Sequence, residues 1–235
     1  MMGETKMTLT RYGKWEWGAG GVAALLLTAG FLLLARGCCP VTGSILAGFT
    51  VLAYFCVAMF FRNPVRKLPD DPSLLVSPAD GVVKDIGVVD FDMAPFEGKA
   101  LRIGIFLSVL DVHVNRASAD LEVIETAYRP GKYLDARHPD CHKLNEARTI
   151  SGRASANGRT FPMAIRQISG AIARRIVCPV EKGRQLKRGE IYGMIKFGSR
   201  TELYLPPEGF DVLVKVGDTV RGGKTALAGP QEAAR

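Results

Sequence analysis

Two stretches, Ala19–Ala35 and Pro40–Phe61, contain no charged side chain, and the short connection between them carries only Arg36. Each approaches the roughly 20 residues that cross a bilayer as a helix. Both are apolar on every side, unlike the one-sided helices that cover a soluble core. No charged segment with a small-residue cleavage site accompanies them, so a retained anchor is expected in place of a removable signal. Lys6, Arg11 and Lys14 precede the first run, and Arg62, Arg66 and Lys67 follow the second. The positive-inside bias then puts both ends of the helical hairpin, and whatever follows it, in the cytoplasm.

This N-terminal segment takes up residues 1–62. A linker rich in proline and charge begins at Asn63, with Pro64, Pro69, Pro72 and Pro78 as breakers. In the remainder, residues 63–235, short apolar stretches recur between glycines: Gly81–Val83, Leu101–Leu107, Leu121–Ile124, Ile191–Ile195, Leu203–Leu205 and Val212–Val216. Such spacing predicts a mainly β domain, α+β in class, with helix only at Ser169–Val177 and near Leu144–Arg148. Gly183–Gly189 and Gly217–Gly223 share the pattern glycine, two residues, an aliphatic, a base, one residue, glycine. They read either as paired hairpins of the lipoyl type, with glycines in the turns and the aliphatic in the core, or as two unrelated turns.

Phe197-Gly198-Ser199-Arg200 lies between two of these expected strands. Gly-Ser pairs are commonly turns. A Gly-Ser bond is also one that can be cut from within: Ser199 Oγ attacks the Gly198 carbonyl, the amide becomes an ester, and elimination with hydrolysis leaves a pyruvoyl group at residue 199. Such a group is a built-in electrophilic cofactor. Three histidines are available for proton transfer. His113, in Asp111-Val112-His113-Val114-Asn115-Arg116, closes an apolar run and reads as a general base or as a buried structural histidine. Asp80, in Ser77-Pro78-Ala79-Asp80-Gly81, reads as a turn residue or as the acid that holds His113 in one tautomer. His138, Cys141 and His142 have a metal-like spacing, but Pro139 breaks the helix that would align them and no fourth ligand is near, so no metal is expected. The five cysteines show neither a disulfide framework nor a Cys-x-x-Cys site.

Ser77–Gly81, Phe106–Ser108 through Asp111–Arg116, Tyr128–Lys132, Gln167-Ile168 through Ile172–Val177, and Gly193–Arg200 follow one another in this order. Together they resemble the successive motifs of the phosphatidylserine decarboxylase family, in the short form whose cleavage motif ends in Gly-Ser-Arg. The resemblance implies self-cleavage into a larger chain, residues 1–198, and a smaller one, residues 199–235. Ser199 matches the serine that becomes the pyruvoyl group, and Asp80 and His113 match the acid and base motifs. It further implies a Schiff base with the serine head group of phosphatidylserine, loss of carbon dioxide, and release of phosphatidylethanolamine at a bacterial-type cell membrane. A homodimer is also implied. Two departures stand out: Arg116 occupies the place of a second histidine found in the longer form, and the family's Asn-Glu-Arg element reads here Asn145-Glu146-Ala147-Arg148.

The formal charge is +8. Lys132, Arg137, Lys143, Arg174, Arg175, Lys182, Arg184, Lys187 and Arg188 give the second part a basic surface that an anionic leaflet attracts. Nucleic acid is not an expected partner, because aromatics do not interleave with these bases and a membrane hairpin precedes them. Two other classes share the same residues. A membrane-tethered adaptor without enzymatic activity would use the lipoyl-like hairpins for protein contacts, and a membrane-bound serine hydrolase would use Ser199 as an ordinary nucleophile. Both predict an uncut chain.

Overall fold

The computed structural model describes residues 7–138, 140–171, 175–196 and 198–231. Two compact units are present, Met1–Val65 and Arg66–Arg235. In the first, α1 (Lys14–Gly37) and α2 (Pro40–Phe60) pack against each other, and β1 (Met7–Leu9) pairs antiparallel with β2 (Arg62–Pro64). Close approach of the helices depends on a small residue: a side chain at Gly43 would meet the Phe31 carbonyl oxygen at 2.5 Å. Both helices are long and apolar enough to cross a membrane. Their outward leucines and phenylalanines, among them Leu25, Leu33 and Phe49, stay uncovered. A water-facing surface would not carry so large an apolar area.

The second unit is mainly β. Its strands are β3 (Leu75–Val76), β4 (Gly81–Asp90), β5 (Lys99–Leu107), β6 (Val114–Arg116), β7 (Asp120–Arg129), β8 (Ala147–Ala156) and β9 (Arg159–Ile168). They continue with β10 (Ile176–Val177), β11 (Gln185–Leu186), β12 (Ile191–Ile195), β13 (Ser199–Leu205), β14 (Phe210–Val212), β15 (Thr219–Val220) and β16 (Ala226–Pro230). Eight strands form one antiparallel sheet in the order β11-β7-β8-β9-β13-β5-β4-β15. Two three-stranded sheets, β10-β12-β6 and β14-β16-β3, complete the unit.

β13 is flanked by β9 and β5, and every one of its residues is buried. Period-two alternation explains how a strand reading Ser-Arg-Thr-Glu-Leu-Tyr-Leu can be buried on both faces. Leu203 and Leu205 join Leu101, Ile103, Ile105 and Leu107 in the main core. On the opposite face Tyr204 joins a smaller cluster with Phe91, Met93, Phe96 and Ala164, stacking on Phe91 at a centroid distance of 4.1 Å.

The glycine-flanked repeat is present in three dimensions, and it extends beyond the glycines. Leu186 and Val220 are its buried aliphatics, both in the main core. Gly183 N–H donates to the Val123 carbonyl and Gly189 N–H to that of Ala117. In the other copy Gly217 donates to Val83 and Gly223 to Ser77. The acceptors 117 and 123 have the same spacing as 77 and 83, so Ser77–Val83 and Ala117–Val123 are equivalent segments. The sequence pattern marks only the glycine halves.

Helix is scarcer than the sequence predicts. Ile176–Val177 is a strand, because Ile176 pairs with Ile195 and Val177 with Met194; residues 172–174 lie outside the described residues. The short helix α3 covers Cys141–Leu144, and Ala147 onward is strand paired to β7 and β9. Val212–Val216 is strand only as far as Val212.

Candidate functional site: a buried serine at a sheet-to-sheet crossing

Between β12 and β13 the chain leaves the small β10-β12-β6 sheet and enters the centre of the large one. Phe197 lies outside the described residues, and Gly198 has φ +62°, in the left-handed region. A residue with a Cβ is strained there by about 1–2 kcal/mol, which is why glycine suits the position. Ser199 begins β13 opposite Leu107. Its side chain is fully buried, and Oγ has no hydrogen-bond partner among the described residues. Leaving a buried hydroxyl unbonded costs about 1–3 kcal/mol. Such a cost marks the group for a purpose other than stability.

His113 stands beside this junction, fully buried. It follows a tight turn in which Asp111 Oδ2 accepts from Ser108 N at 2.7 Å and from Ser108 Oγ at 2.8 Å. Its Nδ1 lies 2.9 Å from the Asp111 carbonyl oxygen, and its Nε2 lies 3.2 Å from Gly198 N. A carbonyl can only accept and an amide N–H can only donate, so Nδ1 carries the proton and Nε2 presents its lone pair toward the junction. Ile195 N–H donates to the His113 carbonyl at 3.2 Å, which ties the histidine to the last residue of β12.

Asp80 has other partners. Its Oδ2 is paired with Arg66 Nη2 at 2.7 Å, and its Oδ1 accepts from Gly222 N at 2.8 Å. The Gly222 bond has a counterpart in the repeat, where Asp120 Oδ1 accepts from Arg188 N at 2.8 Å. Turn capping and an ion pair are common to both copies, since Lys187 Nζ lies 3.2 Å from Asp120 Oδ2, and the largely buried pair with Arg66 is what distinguishes Asp80. Burial lowers the Arg116 guanidinium pKa, the charge of Arg66 adds to this, and Asp80 opposes it. Gly198 and His113 are thus brought together by a hydrogen bond, whereas Asp80 is grouped with Arg66 and Arg116. The tautomer of His113 is set by the Asp111 carbonyl, a backbone group with no side-chain signature for sequence reading to find.

A second set of residues under the junction also escaped the sequence. Arg200 Nη2 is 2.6 Å from Asp85 Oδ2, and Arg200 Nε is 2.8 Å from Glu202 Oε1. Arg102 and Arg166 each stand 3.9 Å from the fully buried Glu202, and Tyr204 OH donates to Glu202 Oε2. Burial first, and then the Glu202 charge, push the Tyr204 phenol far above its ordinary range. On the other face Asn115 Nδ2 donates to Thr201 Oγ1 at 3.0 Å, and Gln167 Nε2 donates to Asn115 Oδ1 at 2.8 Å. Three consecutive polar residues, Arg200-Thr201-Glu202, at the start of an expected strand were the available signal. Among the other histidines, His138 Nδ1 accepts from Asp140 N–H at 3.1 Å in an exposed turn.

A buried, unbonded serine follows a left-handed glycine whose N–H is held by an imidazole inside a β-rich unit, an arrangement compatible with a chain that is cut from within. The particular family follows from comparison: residues 53–228 match the phosphatidylserine decarboxylase family, and the chain belongs to it. A phosphatidylserine decarboxylase proenzyme of Trichlorobacter lovleyi is 44% identical over 200 residues, covering 84% of this chain and 88% of that protein. Its counterpart in Carboxydothermus hydrogenoformans is 43% identical over 199 residues, covering 83% and 91%. One from Rhodopirellula baltica is 45% identical over 183 residues, covering 77% and 75%.

Proposed function

We propose that the chain is made as a precursor that cuts itself between Gly198 and Ser199 and then converts phosphatidylserine to phosphatidylethanolamine and carbon dioxide. The observation that carries this reading is Ser199 Oγ, buried and unbonded among the described residues, next to a left-handed glycine whose N–H meets His113 Nε2. In the cut, Oγ adds to the Gly198 carbonyl carbon and its proton passes to Nε2, which gives up the Gly198 N–H to receive it. The C–N bond then breaks, the amide nitrogen takes that proton, and an ester joins the two parts. Removal of the Ser199 Cα proton and departure of the Gly198 carboxylate leave a dehydroalanine, and its hydrolysis gives the pyruvoyl group and ammonia. When formed, that group's carbonyl supplies the electron sink for loss of carbon dioxide.

His113 is the base for the cut and the proton carrier for the later reaction, since one imidazole meets the junction among the described residues. Asp80 acts at one remove. It fixes Arg66 and the Gly222 turn beside Arg116, the last residue of the strand that follows His113. The two apolar helices hold the enzyme in the membrane with its β unit on the cytoplasmic side. Exposed Lys132, Arg137, Lys143, Lys182 and Arg184 face anionic lipid, each worth about 1 kcal/mol near the surface.

Intact-mass measurement on the purified chain tests the reading: residues 1–198 and residues 199–235 appear as separate species, the second blocked by a pyruvoyl group. Ser199→Ala stays whole and produces no phosphatidylethanolamine from phosphatidylserine vesicles. Native mass of the cut protein, at twice the single-chain value, would bear out the homodimer. A wild-type chain that remains in one piece ends the proposal, and a cut chain inert toward phosphatidylserine ends its substrate half.

A further inference from the structure

The carbonyl of the bond to be cut rests against Gly170, the second residue beyond β9. A Cβ built on Gly170 would lie 1.9 Å from the Gly198 carbonyl oxygen and 2.9 Å from its carbon. Gly170 is absent from the glycines with positive φ. Its φ therefore makes no demand for glycine, and the demand that the contact makes is one for space.

The segment bearing Gly170 is pinned from behind. Ser169 N–H donates to the Glu146 carbonyl at 2.9 Å, and Asn145 Nδ2 donates to the Ser169 carbonyl at 2.8 Å. The same amide donates to the Leu134 carbonyl at 2.8 Å and accepts from Leu134 N–H at 2.8 Å. Asn145 is fully buried, and its carboxamide ties three segments together. Gly198 is thereby held at both ends, its N–H on His113 and its carbonyl oxygen against Gly170.

We propose that Gly170, fixed by Asn145, is the seat of the scissile carbonyl, and that both are positioning residues of self-cleavage. This rests on the self-cutting reading above. As Ser199 Oγ adds, the carbonyl carbon becomes tetrahedral and its oxygen, now carrying the electron pair, leaves the peptide plane. A bare Cα at position 170 accommodates both placements of that oxygen, and a methyl group accommodates neither. Misplacement of a reacting group by about 1 Å can cost on the order of 100-fold in rate.

The test compares full-length wild type, Gly170→Ala and Asn145→Asp in detergent, following appearance of residues 199–235 by mass. Gly170→Ala should slow the cut on the order of 100-fold. Asn145→Asp removes the two Nδ2 donations and should slow it roughly tenfold, about 1.4 kcal/mol at the barrier. Turnover on phosphatidylserine, divided by pyruvoyl groups titrated with a hydrazine, should fall far less than the rate of cutting, because the Gly198 carbonyl is by then the end of a separate chain. Equal losses in both readouts would mean general damage and overturn the seat, as would wild-type cutting in Gly170→Ala. Should Gly170→Ala not fold, Asn145→Asp decides by the same split. An uncut wild type would instead sink the parent reading, and the seat with it.

Discussion

Replacing Gly198 with alanine isolates the backbone strain at the junction. At φ +62° a Cβ costs about 1–2 kcal/mol, and beyond the adjoining residues no described neighbour adds to this, because Val109 Cγ2 at 4.0 Å is the nearest such atom. Three constraints keep the junction from relaxing: the bond to His113, the pairing of Ser199 with Leu107, and the carbonyl resting on Gly170. The strain should therefore appear as lost stability, with cutting continuing within severalfold of wild type. For a unit of this size 1–2 kcal/mol lowers Tm by about 2–8 °C. The comparison belongs in a Ser199→Ala background, where both proteins are single chains. Calorimetry in detergent is the suitable assay, since both tryptophans, Trp15 and Trp17, lie in the N-terminal unit and tryptophan fluorescence would not report on the β unit. An unchanged Tm would refute the strain argument. A loss beyond about 4 kcal/mol would refute the claim that the Cβ meets open space, since that size signals a clash or a buried defect.

Further outcomes follow from the same geometry. His113→Gln should slow cutting by about 10²- to 10⁴-fold, the usual contribution of a proton-transfer group, and a gel time course that matches wild type would remove His113 from the mechanism. Glu202→Leu leaves Arg200 without its buried partner and should cost about 3–5 kcal/mol, read from denaturant unfolding; a loss under 1 kcal/mol would show that water reaches the network. Arg137 hydrogen bonds hold the Asp135 carboxyl at about 2, below its ordinary 3.8. A depressed carboxylate contributes stability above its unfolded-state pKa and loses it as pH falls toward the folded value. Acid-unfolding curves of wild type and Asp135→Asn should thus differ by a constant amount above about pH 4 and converge toward pH 2; divergence on acidification would contradict this.

Legibility in the sequence varied with the kind of interaction. Apolar runs such as Leu101–Leu107 and Ile191–Ile195 announced β5 and β12, because local pattern alone decides them. The β8–β9 hairpin was missed despite Asn157-Gly158, whose φ values of 46° and 79° are those of a two-residue hairpin turn. Small and polar residues in both strands hid the pattern. The end of the expected helix Ser169–Val177 is strand for a different reason: Ile176 and Val177 are claimed by partners nearly twenty residues away, and pairing overrides local preference. At the candidate site, Ser199 and His113 stood out in the sequence through their motifs, and their roles there are the ones proposed above. The Asp111 carbonyl, the Gly170 contact and the Asp85–Arg200–Glu202 network were not, since each exists only when separate strands are laid side by side.

The central place of β13 has a consequence for the lifetime of the enzyme. If the chain is cut as proposed, hydrogen bonds to β5 and β9 on either side, both belonging to the longer product, keep the shorter one in the sheet. The reactive group is then the first residue of an interior strand, supplied once per polypeptide and never exchanged with the cell's pool of small molecules. It cannot be washed out or limited by diet, and it cannot be replaced. A single reduction or misdirected amination at residue 199 retires the whole molecule, so the working population turns over at the pace of protein synthesis.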